Sequence, residues 1–285
     1  MPSLSYENHA RIKSSVSKGI RMSDKIGIIV IGNEILSGKT LDTNSYWLTK
    51  KLYEDGYEIQ RIIVIPDDVK IISNTLTQFI NKLKFDFILL CGGLGPTQDD
   101  KTTEGIAKGL KLKIILNKEA LRLIKKRYND AWLIGKISNP TITLGRRKMA
   151  LLPETASIMP NYIGFGPGFF LKYKIKTKTI MIIALPGVPK ELKHIFKENI
   201  ENKIIPKNLT DRIIKEIKVK ISESLLYELF SSIEKKYPKL KFESHPKLET
   251  GAVIIRLISF NKNEIDDVLK DINIYLNNIP SFALE

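Results

Sequence analysis

Two hydrophobic periods alternate along the first two thirds of the chain. Short continuous runs rich in β-branched residues, Ile26 to Ile31, Ile59 to Ile65, Phe87 to Cys91 and Ile180 to Leu185, have the length of strands buried on both faces. Between them apolar residues recur at helical spacing. Ile72, Leu76, Phe79, Ile80 and Leu83 share one helix face, and the segments from about Asn44 to Asp55, Thr103 to Leu110 and Lys118 to Tyr128 read the same way. Buried strands separated by helices predict an α/β fold, a parallel sheet covered on both faces.

Beyond residue 208 the pattern changes. Ile217, Val219 and Ile221 alternate with Lys218 and Lys220, as in a strand with one wet face. A helix carrying Leu225, Leu226, Leu229, Phe230 and Ile233 follows, then strands at Leu240 to Glu243 and Ala252 to Ile258. A last helix uses Ile265, Val268, Leu269, Ile272 and Leu276. The expected organisation is therefore an α/β domain over residues 25–207 and a small α+β carboxy-terminal domain over 208–285. Residues 1–24 are polar, carry Arg11, Lys13, Lys18 and Arg21, and lack the apolar core of a secretory signal. They read as a disordered or mis-assigned extension, with Met22 as an alternative start.

Composition narrows the function. The single cysteine, Cys91, excludes an internal disulfide framework, and the three histidines form no zinc-spaced cluster. A reducing, cytoplasmic setting is expected. No apolar run approaches the roughly 20 residues that cross a bilayer, so no membrane partner is expected. The net charge of +15 comes from lysines scattered through every segment, which argues against a dedicated nucleic-acid surface and for an anionic small ligand.

The strongest chemical signal is the run from Cys91 to Thr103, which follows a buried strand and opens a helix. Gly92, Gly93 and Gly95 let backbone amides approach a phosphate, Thr97 adds a hydroxyl, and the helix start supplies positive potential. Asp99 and Asp100 beside such a cradle make sense if a divalent cation bridges them to phosphate oxygens; capping of the next helix is the plainer alternative. A second run, Gly32-Asn33-Glu34 to Gly38-Lys39-Thr40, follows the first strand. It encloses five residues between Gly32 and Gly38 where a P-loop needs four, so its register is wrong for that motif. Asp42 and Asn44 precede a helix and read as ligand contacts or as caps. Pro66-Asp67-Asp68 ends the second strand, and Pro186 and Gly187 end another, each able to face the same edge or to form a simple turn.

In this order these segments resemble the molybdopterin-binding-like domain of CinA proteins and the amino-terminal domain of eukaryotic FAD synthases. Ala150-Leu151-Leu152-Pro153, Asn161 to Phe169 and Ser222-Glu223-Ser224 add to the likeness, which spans about residues 25 to 275. The resemblance implies a three-layer α/β sandwich of the molybdenum-cofactor-biosynthesis type, with a mainly parallel sheet, and a homo-oligomer. It also implies a metal-dependent pyrophosphatase acting on ADP-ribose or FAD-like dinucleotides, supported by Mg, Mn or Co with potassium. Asp99 and Asp100 would be catalytic and hold the metal with Glu34 and Asp68. Gly92, Gly93, Gly95, Thr97, Gly32, Asn33, Asp42, Asn44, Pro186 and Gly187 would bind the ligand. The alternatives are adenylyl chemistry on a pterin phosphate, or a module that binds molybdopterin or a nucleotide without chemistry. Gln98 stands where relatives often place His, and Gly166 where Ala is common. Neither an amidohydrolase nor an adenylyl-transferring activity is expected of the 285 residues.

Overall fold

The computed structural model describes residues 25–201, 203–205, 213–220, 223–247 and 251–278. The expected amino-terminal extension lies outside the described residues. Two compact units divide the chain, the break falling between described residues 205 and 213.

The first unit contains β1 (Ile26–Ile31), α1 (Asn33–Leu36), α2 (Asn44–Glu54), β2 (Ile59–Ile65), α3 (Val69–Asn81), β3 (Phe87–Cys91), α4 (Thr102–Leu110), β4 (Ile114–Leu116), α5 (Lys118–Leu133), α6 (Leu144–Lys148), β5 (Leu151–Pro153), β6 (Ser157–Met159), β7 (Gly168–Ile175), β8 (Lys178–Leu185) and α7 (Pro189–Ile195). Six strands form one sheet in the order β2-β1-β3-β8-β7-β6, while β4 and β5 pair separately. β2, β1, β3 and β8 are parallel, and β7 returns antiparallel beside β8. Alternate residues of the Ile-rich strands feed two cores. Ile29, Ile31, Ile88, Leu90, Ile182 and Ala184 meet the apolar faces of α3, α4 and α5. Ile28, Val30, Leu89, Cys91, Ile183 and Leu185 meet α2 and α7. Helix, sheet and helix are the three layers.

Register decides where the site lies. Ile31 pairs with Ile65, Val30 with Cys91, and Cys91 with Leu185, so the four parallel strands end at one edge. The segments that follow them, beginning at Gly32, Pro66, Gly92 and Pro186, therefore emerge together, where open α/β sheets bind ligands. Because β7 is antiparallel, with Phe169 opposite Ala184, its first residues and the loop before it arrive at that edge too. The sequence pattern did not predict β4 to β7. β7 and β8 are joined across Lys176 and Thr177, with Lys176 at φ +51°, and this tight turn carries none of the Gly or Asn chemistry that marks a hairpin.

The second unit contains β9 (Ile213–Val219), α8 (Tyr227–Lys236), β10 (Lys241–Lys247), β11 (Ala252–Ser259) and α9 (Lys262–Asn277). The strands form an antiparallel sheet in the order β10-β11-β9. Val253, Ile255 and Leu257 pack with Leu229 and Ile233 of α8 and with Val268 and Ile272 of α9. Arg256 stands opposite Glu216 and Glu243 in register and pairs with both, at 2.7 and 3.3 Å. β10 runs beyond the expected Leu240 to Glu243, and as an edge strand it accepts Pro246.

Candidate functional site

The loop after β3 turns sharply over the strand ends. Gly92 sits at φ +106°, and a β-carbon there would overlap the Ile31 carbonyl of the neighbouring strand. Its amide donates to the Leu185 carbonyl at 3.0 Å, fastening the loop between β1 and β8. Gly93, at φ +65°, leaves no room for a β-carbon against Thr102. Thr102 is fully buried; its hydroxyl donates to the Gly92 carbonyl at 2.7 Å and its amide to the Gly93 carbonyl at 3.1 Å. Glycine is thus required at both positions by backbone direction and by contact. Among the described residues the amides of Gly93, Leu94 and Gly95 have no protein acceptor, which leaves three successive donors for an anion.

Asp99 and Asp100 are organised by Thr97. The Thr97 hydroxyl, with one proton to share, sits at hydrogen-bond distance from both carboxylates, and its amide donates to Asp100 at 2.8 Å. Neither carboxylate caps α4, whose N-cap, Lys101, makes no side-chain cap bond. The Lys148 ammonium of α6 donates to the Thr97 carbonyl at 2.6 Å and to the Asp100 carbonyl, closing the loop from outside. The Thr97 hydrogen bond, aided by the lysines, holds Asp99 below the usual carboxylate range. Asp67 moves the other way: burial and then the charges of Glu34, Asp99 and Asp100 raise it, against the amide of Asn33 that donates to it at 2.8 Å. Four carboxylates from three loops thus share one electrostatic neighbourhood.

A cavity of about 520 Å³ opens between these loops. Its lining includes Gly92, Gly93, Gly95, Glu34, Asp67, Asp99 and Asp100, with Pro186 and Gly187. Tyr128, Phe165, Met149, Gly166 and Glu191 line it as well. Tyr128 stacks on Phe165 at 4.2 Å and 22°, with the Arg146 guanidinium 3.9 Å from its ring centre. Asn161, 5% exposed, ties the loop before β7 together: its carbonyl accepts the amides of Ile163 and Gly164, and its amide donates to Gly166 and to Glu191. Burial raises the Glu191 carboxyl, while Asn161 and the more distant Arg127 and Lys136 oppose the shift.

Eight of the fourteen expected site residues line this cavity: Glu34, Gly92, Gly93, Gly95, Asp99, Asp100, Pro186 and Gly187. The rest stand behind it. Thr97 and Asn33 hold the acids, and the Gly32 amide donates to the Ile65 carbonyl. Asp42 accepts the amides of Asn44 and Ser45, so it caps α2. Asn44 donates to the Gly187 carbonyl at 2.7 Å and so fixes the turn after β8. Asp68 was expected among the metal ligands. Its carboxylate instead accepts the amides of Lys70 and Ile71 at the start of α3, and its neighbour Asp67 faces the cavity. Sequence reasoning also missed Tyr128, Phe165 and Glu191. Tyr128 follows Ala120 and Ile124 on the buried stripe of α5, where an aromatic residue reads as core.

Comparison with known proteins fits this arrangement. The family described as "Probable molybdopterin binding domain" matches residues 27–205. A protein of Pyrococcus furiosus is 37% identical over 185 residues, covering 65% of this chain and 71% of the relative. One from Sulfurisphaera tokodaii is 34% identical over 248 residues, 84% of this chain and 88% of the relative. The crystal structure of a CinA protein from Thermoplasma acidophilum, described as having unknown function, superposes with a TM-score of 0.55 at 33% identity, over 64% of this chain and all of that one. The chain belongs to the molybdopterin-binding domain family and is of the CinA type.

Proposed function

We propose that the cavity binds a phosphorylated pterin or dinucleotide and that the protein is a metal-dependent pyrophosphatase acting on ADP-ribose or FAD-like dinucleotides. The observation that carries the reading is the juxtaposition of three free backbone donors, Gly93 to Gly95, with the carboxylates of Glu34, Asp67, Asp99 and Asp100 around one cavity. Donors alone would suit an anion. Carboxylates alone would repel one.

The acids fit a hard divalent cation, since all are oxygen donors and Asp67 is already raised by burial and by the charges of its neighbours. Among the described residues no three acidic, His or Cys side chains form a ready coordination group. A magnesium-like ion takes one or two carboxylates and completes its shell with phosphate oxygens and water. Asp99 and Asp100 would hold it, with Asp67 or Glu34 nearby. Such an ion, when bound, offsets the charge of the pyrophosphate and of the transition state.

The chain's own groups do the rest. Amides of Gly93, Leu94 and Gly95 take the phosphate oxygens, and the Thr97–Lys148 bracing keeps the aspartates from swinging away as charge develops. Water's oxygen bonds to one phosphorus, the bridging P–O bond breaks, and the protons pass to solvent as both phosphate monoesters ionise. A second reading, binding of a molybdopterin-like pterin phosphate without turnover, is favoured by the aromatic side chains in the cavity lining and by the family's description.

The test is incubation with ADP-ribose and FAD, with and without divalent metal and potassium, beside the double variant Asp99→Ala/Asp100→Ala. Metal-dependent release of AMP by the wild type alone is the expected result. Ligand binding without any release would overturn the hydrolase in favour of the binder.

A further inference from the structure

A second cavity, of about 440 Å³, opens on α5 and shares no lining residue with the first. Lys125, Lys126 and Asn129 of α5 line it together with Pro140, Thr141 and Ile142 of the segment before α6. Asn129 lies one helical turn from both lysines, so the three side chains neighbour one another on one face. Both lysines are exposed, and among the described residues neither makes an ion pair or a hydrogen bond. Lys118 and Arg122, exposed and likewise unpaired, continue the row of cations toward the start of the helix at the same spacing. Glu119 and Asp130, the acids of the helix, pair with none of them.

The segment that completes the cavity is held in place. The Asn139 side chain accepts the Thr141 amide at 2.7 Å, the Arg146 guanidinium donates to the carbonyls of Asn139 and Thr141 at 2.7 and 2.8 Å, and Ile142 packs against the core beside the sheet. Arg146 also lies over the Tyr128 ring of α5, 3.9 Å from its centre, so segment and helix are fastened to each other. Fixed walls that present two unpaired ammonium groups, an amide and a hydroxyl suit a compact anion with several acceptor oxygens. Two cations match a dianion, and about 440 Å³ is more than a phosphate group fills, which leaves room for an organic remainder. We propose that this cavity binds a phosphate monoester, such as a sugar phosphate, at a site separate from the glycine loop. A monoester carries close to two negative charges at neutral pH and three free oxygens, whereas a diester, as in a nucleic-acid backbone, carries a single charge. The inference is independent of any turnover in the first cavity.

The experiment is nuclear magnetic resonance titration of the isotope-labelled full chain, without metal, by ribose 5-phosphate, with dimethyl phosphate and ribose as controls. Ribose 5-phosphate is expected to shift the backbone amides of Asn129, Thr141 and Ile142 saturably, dimethyl phosphate to bind there about tenfold more weakly, and ribose to leave them unmoved. In Lys125→Gln/Lys126→Gln the affinity for ribose 5-phosphate read at those amides should fall about tenfold. Both lysines are exposed, so the variant is expected to fold, which unchanged amide positions elsewhere in the spectrum verify. The amides of Gly93 to Gly95 report the first cavity in the same spectra, so failure of one site is told apart from failure of the other. No saturable shift at Asn129, Thr141 and Ile142, equal affinity for dimethyl phosphate, or unchanged affinity in the double variant overturns the proposal.

Discussion

Replacing Gly93 by alanine tests the loop on which the site depends. A β-carbon at φ +65° costs about 1–2 kcal/mol by conformation alone. The same carbon overlaps the Thr102 hydroxyl, which must leave the Gly92 carbonyl, and stranding that buried pair costs about 1–3 kcal/mol more. We predict a loss of about 2–5 kcal/mol in all, or roughly 1–2.5 M in urea midpoint at a slope of about 2 kcal/mol/M. Gly38→Ala is the control. Gly38 has nearly the same φ, +70°, with nothing within 4 Å of its β-position, so it should lose only the conformational part, about 1–2 kcal/mol. Both tryptophans, Trp47 and Trp132, lie in the first unit, so their fluorescence follows its unfolding without interference from the second. Equal losses for the two variants would refute the packing of the loop on Thr102.

Three further outcomes follow from the neighbouring side chains. Asp67 is raised in the fold, so its ionised form is disfavoured there. Stability should fall as pH rises from the ordinary aspartate range through the raised value and stay reduced above it, and Asp67→Asn should make the metal-free protein more stable at neutral pH, with a smaller metal-induced rise in Tm than wild type. Asp68→Ala should cost about 1 kcal/mol through the lost cap of α3 while leaving AMP release unchanged, which thermal melting and the turnover assay check together. Lys148→Met should lower the Tm, because the carbonyls of Thr97 and Asp100 lose their shared donor; an unchanged melt would show that the Thr97 hydrogen bonds alone hold the aspartate loop.

The parallel half of the sheet was legible because each of its strands is a continuous apolar run, and the glycine loop because its glycines and aspartates follow one of them. The hairpin β7–β8 was hidden by a turn built on Lys176 and Thr177, whose conformation the surrounding sheet imposes. The choice between Asp67 and Asp68 could not be read from spacing. Adjacent carboxylates at a strand end point to different sides, and only the entry angle of α3 decides which one caps it. The aromatic part of the cavity lining was hidden for another reason. Tyr128, Phe165 and Glu191 come from a helix stripe, a loop and a helix start that only the folded sheet edge brings together.

The central claim is that phosphate and cation meet in this one cavity. Crystals grown with Mn2+ and a methylene-bridged analogue of ADP-ribose, measured at the manganese edge, test it most directly. The account predicts the analogue's phosphorus atoms against the amides of Gly93 to Gly95 and an anomalous peak at bonding distance from Asp99 or Asp100. Phosphates seated elsewhere, or manganese bound away from those aspartates, would contradict it.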